Sequence, residues 1–344
     1  MKIIVTGGAG FIGSAVIKYL INHTYHQIYN IDKLTYASNI NFLNSISHHP
    51  RYHFAQLDII DHQALSSIFK IFKPQAIIHL AAESHVDRSL ENSEKFIQTN
   101  ILGTFQLLQV SYRYWSDLNK FEKEKFRFLH VSTDEVFGDM SDSKKLFTEN
   151  SRYSPSSPYS ASKASADHLV RAWHRSYGLP ILITNSSNNY GPNQHPEKFI
   201  PKIIINALHG LPIPIYGDGN QIRDWLYVED HVQAIYKILT SAQIGESYNI
   251  GGNNQISNIS IAYKICNFLD GLFPKKTFKI NSYSELITHI KDRPGHDKCY
   301  GINNNKIKNE LNWKPIESFD SGLNKTITWY KERIENYNSI YQTI

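Results

Sequence analysis

Short apolar runs alternate with helical patterns through the first half of the chain. The runs predict six strands, at residues 3–6, 27–31, 53–57, 76–80, 128–132 and 181–185. Because strands that alternate with helices at this spacing form parallel sheets with right-handed crossovers, we predict an α/β fold. The sheet is expected to be of the doubly wound, Rossmann type.

The pattern changes after residue 185, where five prolines interrupt short elements: Pro192, Pro196, Pro201, Pro212 and Pro214. This predicts a second, smaller region built on loops. Residues 227–241 read as a helix, and residues 248–250 as a strand that returns to the first sheet. We therefore predict one domain over residues 1–185 with a returning segment near 226–250, interleaved with a second domain over residues 186–335.

The predicted helix around residues 96–115 is apolar on more than one face, with Ile97, Ile101, Phe105, Leu107, Leu108 and Val110. A helix of this kind is either buried all round or contacts another subunit.

Composition narrows the class of protein. Of the 344 residues, 41% are hydrophobic and 19% are charged, which excludes a disordered chain. The two cysteines, Cys266 and Cys299, are too few for a disulfide framework and lack metal-ligand spacing, so no metal is expected. No stretch approaches the ~18 apolar residues of a membrane helix, and the expected location is the cytoplasm. The net charge of +5 is scattered, so no nucleic-acid partner is predicted.

A glycine-rich segment lies between the first strand and the first helix. Gly7, Gly10 and Gly13 allow a tight turn, a close approach to a pyrophosphate and tight helix packing. The helix N-terminus then offers free N–H groups to phosphates. Asp32 ends the second strand about 20 residues further on, where a carboxylate binds ribose hydroxyls and repels a 2′-phosphate. The cofactor predicted here is NAD, with Lys33 as the one feature that would suit NADP.

Tyr159 and Lys163 are four residues apart on a predicted helix and therefore share a face. A neighbouring ammonium and the positive charge of a nicotinamide ring would lower the tyrosine pKa from its usual ~10. Such a pair can remove a hydroxyl proton while a hydride leaves for NAD.

Together these features resemble the extended short-chain dehydrogenase/reductase family, and Thr133, Asp134 and Glu135 are similar to the corresponding run of its nucleotide-sugar 4,6-dehydratases. The resemblance extends over about residues 1–330, through the segments 32–37, 79–89, 156–159, 187–192, 221–230 and 292–297. It implies that Tyr159 and Lys163 serve oxidation at C4 of the sugar, with Thr133 binding the 4-oxygen. Glu135 would remove the C5 proton, and Asp134 would protonate the departing C6 hydroxyl. Return of the hydride to C6 would give a 4-keto-6-deoxy sugar.

Two adjacent carboxyl groups can act as acid and base only if their environments separate their pKa values, so burial of Asp134 is a requirement of this hypothesis. Neighbours on a regular strand also point to opposite faces. Asp134 and Glu135 can both face the substrate only if the strand ends or bends there.

Further binding residues are implied by the resemblance alone. The cofactor would contact Phe11, Ile12, Lys33, Leu34, Thr35, Asp58, Ile59, Leu80, Ala81, Ala82, Ser84, Thr99, Tyr159, Lys163 and Asn189. The nucleotide sugar would contact Ser84, His85, Thr133, Asn188, Lys198, Phe199, Pro214, Ile215, Tyr216, Arg223, Asn258, Arg293 and His296. The planar donor forks of Arg223 and Arg293 suit a diphosphate.

The chain departs from the family pattern in three places. Phe137 replaces an expected tyrosine, residues 139–147 form a compressed loop, and residues 299–301 are less similar to relatives than the segments around them. These loops could alter substrate choice.

Two alternatives remain open. The chain could be another enzyme of the same fold, a 4-epimerase or a dehydratase of UDP-, CDP- or GDP-sugars, although epimerisation leaves Asp134 and Glu135 without a task. It could also be a non-catalytic NAD-sensing protein, although such proteins lose Tyr159 or Lys163. The resemblance further implies a homodimer with a four-helix interface and a role in deoxysugar supply for surface polysaccharide.

Overall fold

The computed structural model describes residues 1–140, 145–275 and 278–334. The strands in these ranges are β1 Lys2–Thr6, β2 Gln27–Asp32, β3 Tyr52–Gln56, β4 Ala76–His79, β5 Arg127–Thr133, β6 Ile181–Ser186, β7 Asn188–Tyr190, β8 Ile213–Tyr216, β9 Ile222–Tyr227, β10 Ser247–Ile250, β11 Gln255–Ser257 and β12 Ile287–Ile290.

The α-helices of the same ranges are α1 Phe11–His23, α2 His62–Phe72, α3 Val86–Glu91, α4 Ser93–Phe96, α5 Thr104–Ser116, α6 Lys120–Lys125, α7 Pro158–Tyr177, α8 Phe199–His209, α9 Val228–Ser241, α10 Asn258–Leu272, α11 Asn305–Leu311 and α12 Phe319–Lys331. A π-helix, Ile97–Gly103, joins α4 to α5, and 3₁₀ helices span Ile40–Ile46, Asp134–Phe137 and Tyr283–Leu286. Among the helices of the described ranges, none has the length and apolar character needed to cross a membrane.

Seven parallel strands form the central sheet in the order β10-β6-β5-β4-β1-β2-β3. The strand order reverses between β1 and β4, and this switch point leaves a crevice at the carboxyl ends of the strands. The α/β fold class and the six strands predicted for the first half are confirmed.

Helices cover both faces of this sheet, which explains why its strands are almost continuously apolar. Along β1, Ile3 and Val5 point into one core, where Val16 and Leu20 of α1 pack. Ile4 points to the opposite core, which contains residues of α2, α5 and α7. The sheet is thus a rigid base for the residues at its carboxyl edge.

The prediction that the second region is built on loops is wrong. It contains the sheet β11-β9-β7, the parallel pair β12-β8, and the helices α8, α10 and α12 around a core of its own. The prolines do not interrupt these elements. Pro201 lies in the first turn of α8, where no intrahelical N–H is lost, and Pro214 lies in a two-stranded sheet in which both strands are edges.

After α9 the chain returns to the first sheet, where β10 pairs with β6 from Ser247 opposite Ile183 to Ile250 opposite Ser186. The division into domains at residues 185 and 186 stays a prediction, and its final residue, 335, lies outside the described residues.

The helix predicted around residues 96–115 is continuous from α4 through the π-helix to α5. It is not buried all round, because the exposed fractions of Ile97 and Leu102 are 49% and 42%. Contact with another subunit, the other explanation offered for its apolar character, stays a prediction.

Candidate active site

The glycine loop contains positions that no larger residue would fit. Gly7 has a φ of +73°, and a Cβ there would lie 2.6 Å from the backbone nitrogen of Ala81. A Cβ on Gly13 would lie 2.1 Å from the Gly7 carbonyl oxygen. These close approaches bring the start of α1 against β1 and β4 at the switch point.

The first turn of α1 is open to a ligand. Gly10 occupies the N-cap position, and no side chain caps the helix there. The N–H groups of this turn therefore point into the cleft, where they fit the pyrophosphate of a dinucleotide.

Asp32 is held firmly at the end of β2. One carboxylate oxygen accepts from the Ala9 N–H at 2.9 Å, and the other accepts from the Leu34 N–H and the Ser38 hydroxyl, both at 2.8 Å. A carboxylate has about four acceptor positions, so three are used by the chain itself. A ribose hydroxyl would share this carboxylate with Ser38.

Lys33 is engaged on the cleft wall. Its Nζ donates to the Thr99 hydroxyl at 3.0 Å and lies 3.6 Å from a carboxylate oxygen of Asp58 and 3.9 Å from one of Glu83. Because two acids neutralise this ammonium, it does not provide a free positive charge for a 2′-phosphate. Lys33 therefore does not favour NADP.

The strand that carries the acid pair ends where the reaction requires it. β5 stops at Thr133, whose hydroxyl accepts from the Glu135 N–H at 3.2 Å and caps the 3₁₀ helix Asp134–Phe137. The change from strand to helix turns successive side chains to one side, so Asp134 and Glu135 both line the cleft. The bend required by the adjacent acids is confirmed.

The environments of the two acids differ. Burial, with smaller effects from Glu135 and Asp224, raises the pKa of Asp134 well above its ordinary value. Burial also raises the pKa of Glu135, but the positive charges of Arg293, Arg223 and Lys198 oppose it. Asp134 is therefore the group that keeps its proton, and Glu135 is the group that can ionise.

Tyr159 and Lys163 line the same cleft from α7. This helix begins with a capping box between Ser157 and Ser160 and with Pro158 at its first position. Lys163 Nζ donates to the Val131 carbonyl at 2.9 Å, and burial lowers its pKa to about 8.

The chain alone does not lower the pKa of Tyr159. Burial raises this pKa, and Glu135 raises it further, whereas a hydrogen bond with Thr133 opposes them. The desolvation of the phenolate outweighs this hydrogen bond. A bound nicotinamide cation would favour the phenolate.

Most predicted site residues line this one cleft. They are Gly7, Gly10, Phe11, Ile12, Gly13, Asp32, Lys33, Thr35, Asp58, Ile59, Leu80, Ala81, Ala82, Ser84, Thr99, Thr133, Asp134, Glu135, Tyr159, Lys163, Asn188, Asn189 and Lys198.

The other predicted residues lie off the cleft wall: Leu34, His85, Phe199, Pro214, Ile215, Tyr216, Arg223, Asn258, Arg293 and His296. The side chain of Ile215 is 1% exposed within the second core, so only its backbone could meet a ligand. Leu34 has a φ of +57° and bends away after its N–H has reached Asp32.

The two predicted diphosphate arginines are engaged by the chain. Arg223 donates to the carbonyls of Ile222 and Asp297, both at 2.8 Å, and Arg293 lies 3.4 Å from a carboxylate oxygen of Asp87. Their charges still oppose the burial of Glu135, so they lie near the acid pair rather than elsewhere on the surface.

Sequence reasoning missed several cleft residues, among them Ser38, Ser187, His195 and Glu197. A hydroxyl residue shortly after Asp32 is a signal that could have revealed Ser38. The others come from loops whose return to the cleft depends on the fold.

Of the departures from the family pattern, Phe137 has a clear packing role. Its ring stacks on Phe147 and meets the edge of Tyr153, both at 5.3 Å between ring centroids. The compressed loop of residues 139–147 lies partly outside the described residues. The N–H groups of Lys298 and Cys299 donate to Asp139.

A dinucleotide cradle at the switch point, a Tyr–Lys pair and an acid pair in one cleft are the features of an extended short-chain dehydrogenase/reductase. A family model described as GDP-mannose 4,6 dehydratase matches residues 4–326, and the chain belongs to that family.

The relatives include the dTDP-glucose 4,6-dehydratase of Haemophilus influenzae, 56% identical over 96% of this chain and 98% of the relative. Two solved structures are similar as well. The dTDP-glucose 4,6-dehydratase of Bacillus anthracis, in complex with NAD, has a TM-score of 0.84 and 40% identity over 97% of this chain and 98% of that one. The DesIV enzyme of Streptomyces venezuelae, also with NAD bound, has a TM-score of 0.86 and 38% identity over 96% and 97% of the two chains.

Proposed function

We propose that this chain is an NAD-dependent dTDP-glucose 4,6-dehydratase, a hydro-lyase. The observation that carries the proposal is the placement of Thr133, Asp134, Glu135, Tyr159 and Lys163 around one cleft, with the strand ending at Thr133. The relatives with that name match nearly the whole chain. A 4-epimerase would have no use for two acids with separated pKa values.

The chain's own residues divide the reaction between them. Tyr159 takes the proton of the sugar 4-hydroxyl, while Thr133 binds the same oxygen. The ketone acidifies the C5 proton, which Glu135 removes, and Asp134 gives its proton to the departing C6 hydroxyl. Bound NAD supplies the hydride acceptor at C4 and the hydride donor at C6, so there is no net redox change.

The residues around the cleft also support binding of the two ligands. The open first turn of α1 and Asp32 suit NAD, and Lys198 provides a positive charge beside Ser84, whose carbonyl it contacts at 2.7 Å. Asn188 would face the nucleoside diphosphate from the cleft wall, and Arg223 and Arg293 would reach it by giving up their contacts with the chain. A cytoplasmic location and a role in deoxysugar supply, for example of dTDP-rhamnose, are part of the same proposal.

We propose a homodimer for this enzyme as well. The exposed apolar residues Ile97 and Leu102 lie on the helix that packs beside α7. Aromatic contacts join the two helices, between Phe105 and Trp173 at 5.8 Å and between Tyr112 and Tyr177 at 5.0 Å. The same pair from a second copy would complete a four-helix interface.

Mass spectrometry of the sugar nucleotide tests the activity. Purified protein with NAD should convert dTDP-glucose into a product lighter by one water, without accumulating NADH. The same assay with UDP-, CDP- and GDP-sugars measures nucleotide preference. An unchanged mass with dTDP-glucose, or a 4-epimer as product, would contradict the proposal.

A further inference from the structure

A buried carboxylate that the proposed mechanism does not use lies one helical turn beyond Lys163. Asp167 is completely buried on α7, on the face that Lys163 and Tyr159 share. Isolated buried charges are costly and are normally paired. The surroundings of Asp167 therefore indicate why the chain keeps an acid there.

Three polar groups from different elements converge on this carboxylate. The Tyr153 hydroxyl donates to Oδ2 at 2.8 Å, and Asn185 Nδ2 of β6 donates to the same oxygen at 3.2 Å. His130 Nε2 of β5 lies 3.2 Å from Oδ1. Arg171 supports the cluster through a hydrogen bond to the Tyr153 hydroxyl at 3.0 Å.

The same contacts lead to the catalytic groups. Asn185 Nδ2 also donates to the Thr133 carbonyl at 3.1 Å, at the strand end where the acid pair begins. Tyr153 packs against Phe137 of the 3₁₀ helix that contains Asp134 and Glu135. Lys163 holds the preceding part of β5 through the Val131 carbonyl. Asp167 is the group on which the Asn185 and Tyr153 connections converge.

The charges also complement one another. Burial alone would raise the pKa of Asp167, but His130, Lys163 and Arg171 hold it below its ordinary value, so the group is an anion. Burial lowers the pKa of Lys163, and Asp167 opposes that effect. Burial lowers the pKa of His130 to about 4, so this imidazole is neutral and Lys163 is the nearby cation on the cleft wall.

We propose that Asp167 is a positioning residue for the dehydratase reaction: it is the buried counter-ion that keeps Lys163 charged, and it fixes the end of β5 through Asn185. This inference rests on the proposed function for its kinetic readout. Asp167 does not line the cleft and acts through Lys163 and the Thr133 backbone.

The first test is Asp167→Asn, which removes the charge and keeps the shape. Without the anion, Lys163 loses its proton at lower pH. The alkaline limb of the kcat profile should therefore move down by about one pH unit, and kcat at pH 8 should fall by about fivefold with KM little changed. The titratable groups facing this pair are Tyr159 and Arg171 on α7, Tyr153, His79 on β4 and His130 on β5.

A matched control is Asp230→Asn, the same change at a 3% exposed carboxyl that accepts from the Glu317 N–H and does not line the cleft. It should leave the profile unmoved. The proposal would be overturned if the pH profile of kcat for Asp167→Asn has its limbs at the same pH values as the wild type, even if kcat itself is lower.

A readout independent of turnover separates this inference from the proposed function. With ¹³C-labelled lysine, the Lys163 resonance, assigned by its loss in Lys163→Arg, should titrate near pH 8 in the wild type and lower in Asp167→Asn. If the Lys163 titration shifts in Asp167→Asn but the wild type converts no dTDP-glucose, the proposed function is disproved and the role of Asp167 as counter-ion to Lys163 stands. An unshifted titration would sink the role of Asp167.

If Asp167→Asn does not fold, Tyr153→Phe provides a second test of the proposal. The variant removes one hydroxyl and preserves the ring packing on Phe137. Loss of this hydrogen bond loosens the carboxylate and should lower kcat about three- to fivefold at constant KM. A Tyr153→Phe enzyme with wild-type kcat would overturn the proposal.

Discussion

At the scale of single residues, the site depends on small environmental differences between like groups. Asp134 and Glu135 are neighbours in sequence, yet Arg293, Arg223 and Lys198 oppose the effect of burial on the pKa of Glu135, whereas Arg223 is the cation that opposes it at Asp134. The roles could be assigned from the residue types and the family resemblance. The separation of the pKa values could not, because it depends on Arg293, which is distant in sequence.

Replacement of either acid should block the elimination. Glu135→Gln removes the base for the C5 proton, so kcat should fall by about 10²–10⁴-fold while oxidation at C4 still occurs. Stopped-flow absorbance should then show reduced cofactor that persists without loss of water from the sugar. The kcat of Asp134→Asn should fall by a similar factor. The control Glu124→Gln, on the exposed surface of α6, should match the wild type; product formation at the wild-type rate by Glu135→Gln would rule out the assigned role.

The acid side of the pH profile should report Glu135. Because its pKa is raised, the base becomes protonated, and kcat falls, at a pH above the ordinary range of a glutamate. Arg293→Met removes a charge that opposes this shift, so the acid limb should move to higher pH. The exposed Arg152→Met should leave the limb in place. An acid limb that Arg293→Met does not move would contradict this electrostatic account.

At the scale of elements, the sequence was informative where one local rule decides the structure. Continuous apolar runs predicted the parallel strands, and the glycine loop predicted the turn into α1. The prediction that the region after residue 185 is built on loops was wrong, because each proline was taken to end a helix or strand. Pro201 and Pro214 occupy positions within a helix and a strand that tolerate proline. Register between distant strands, such as β7 with β9, is a tertiary property that no local pattern contains.

The glycine loop offers a prediction with a control from the same chain. In Gly13→Ala, the new methyl would lie 2.1 Å from the Gly7 carbonyl oxygen, so the turn must open. We expect at least about tenfold weaker NAD binding by calorimetry and a lower melting temperature. Gly271→Ala, in α10 with no atom within 4 Å of the new methyl, should raise stability by up to about 1 kcal/mol. Unchanged NAD affinity in Gly13→Ala would refute the assignment of the glycine loop as the NAD-binding turn.

At the scale of the whole molecule, contacts across the cleft join the two regions. Asp87 of the first region accepts from Tyr216 at 3.1 Å and pairs with Arg293, both of the second region. Arg88 and Glu197 form another such pair at 3.1 Å. The family resemblance implied a substrate-binding second region, but these pairs were unpredictable because each joins segments more than 100 residues apart.

The homodimer is testable by light scattering. The wild type should have twice the 39.6 kDa chain mass, and Ile97→Glu should shift the protein toward a monomer because a charge cannot be buried unpaired in the interface. Ile71→Glu, at an 81% exposed position on α2, is the matched control and should remain a dimer. A wild-type monomer would exclude the four-helix assembly.

The central claim is that one cleft oxidises C4, eliminates water and returns the same hydride to C6. The most direct measurement is conversion of dTDP-glucose deuterated at C4, followed by NMR and mass spectrometry of the product. The account predicts loss of one water and deuterium at C6, with no release of NADH. A product without the label at C6, or a substrate that keeps its water, would contradict it.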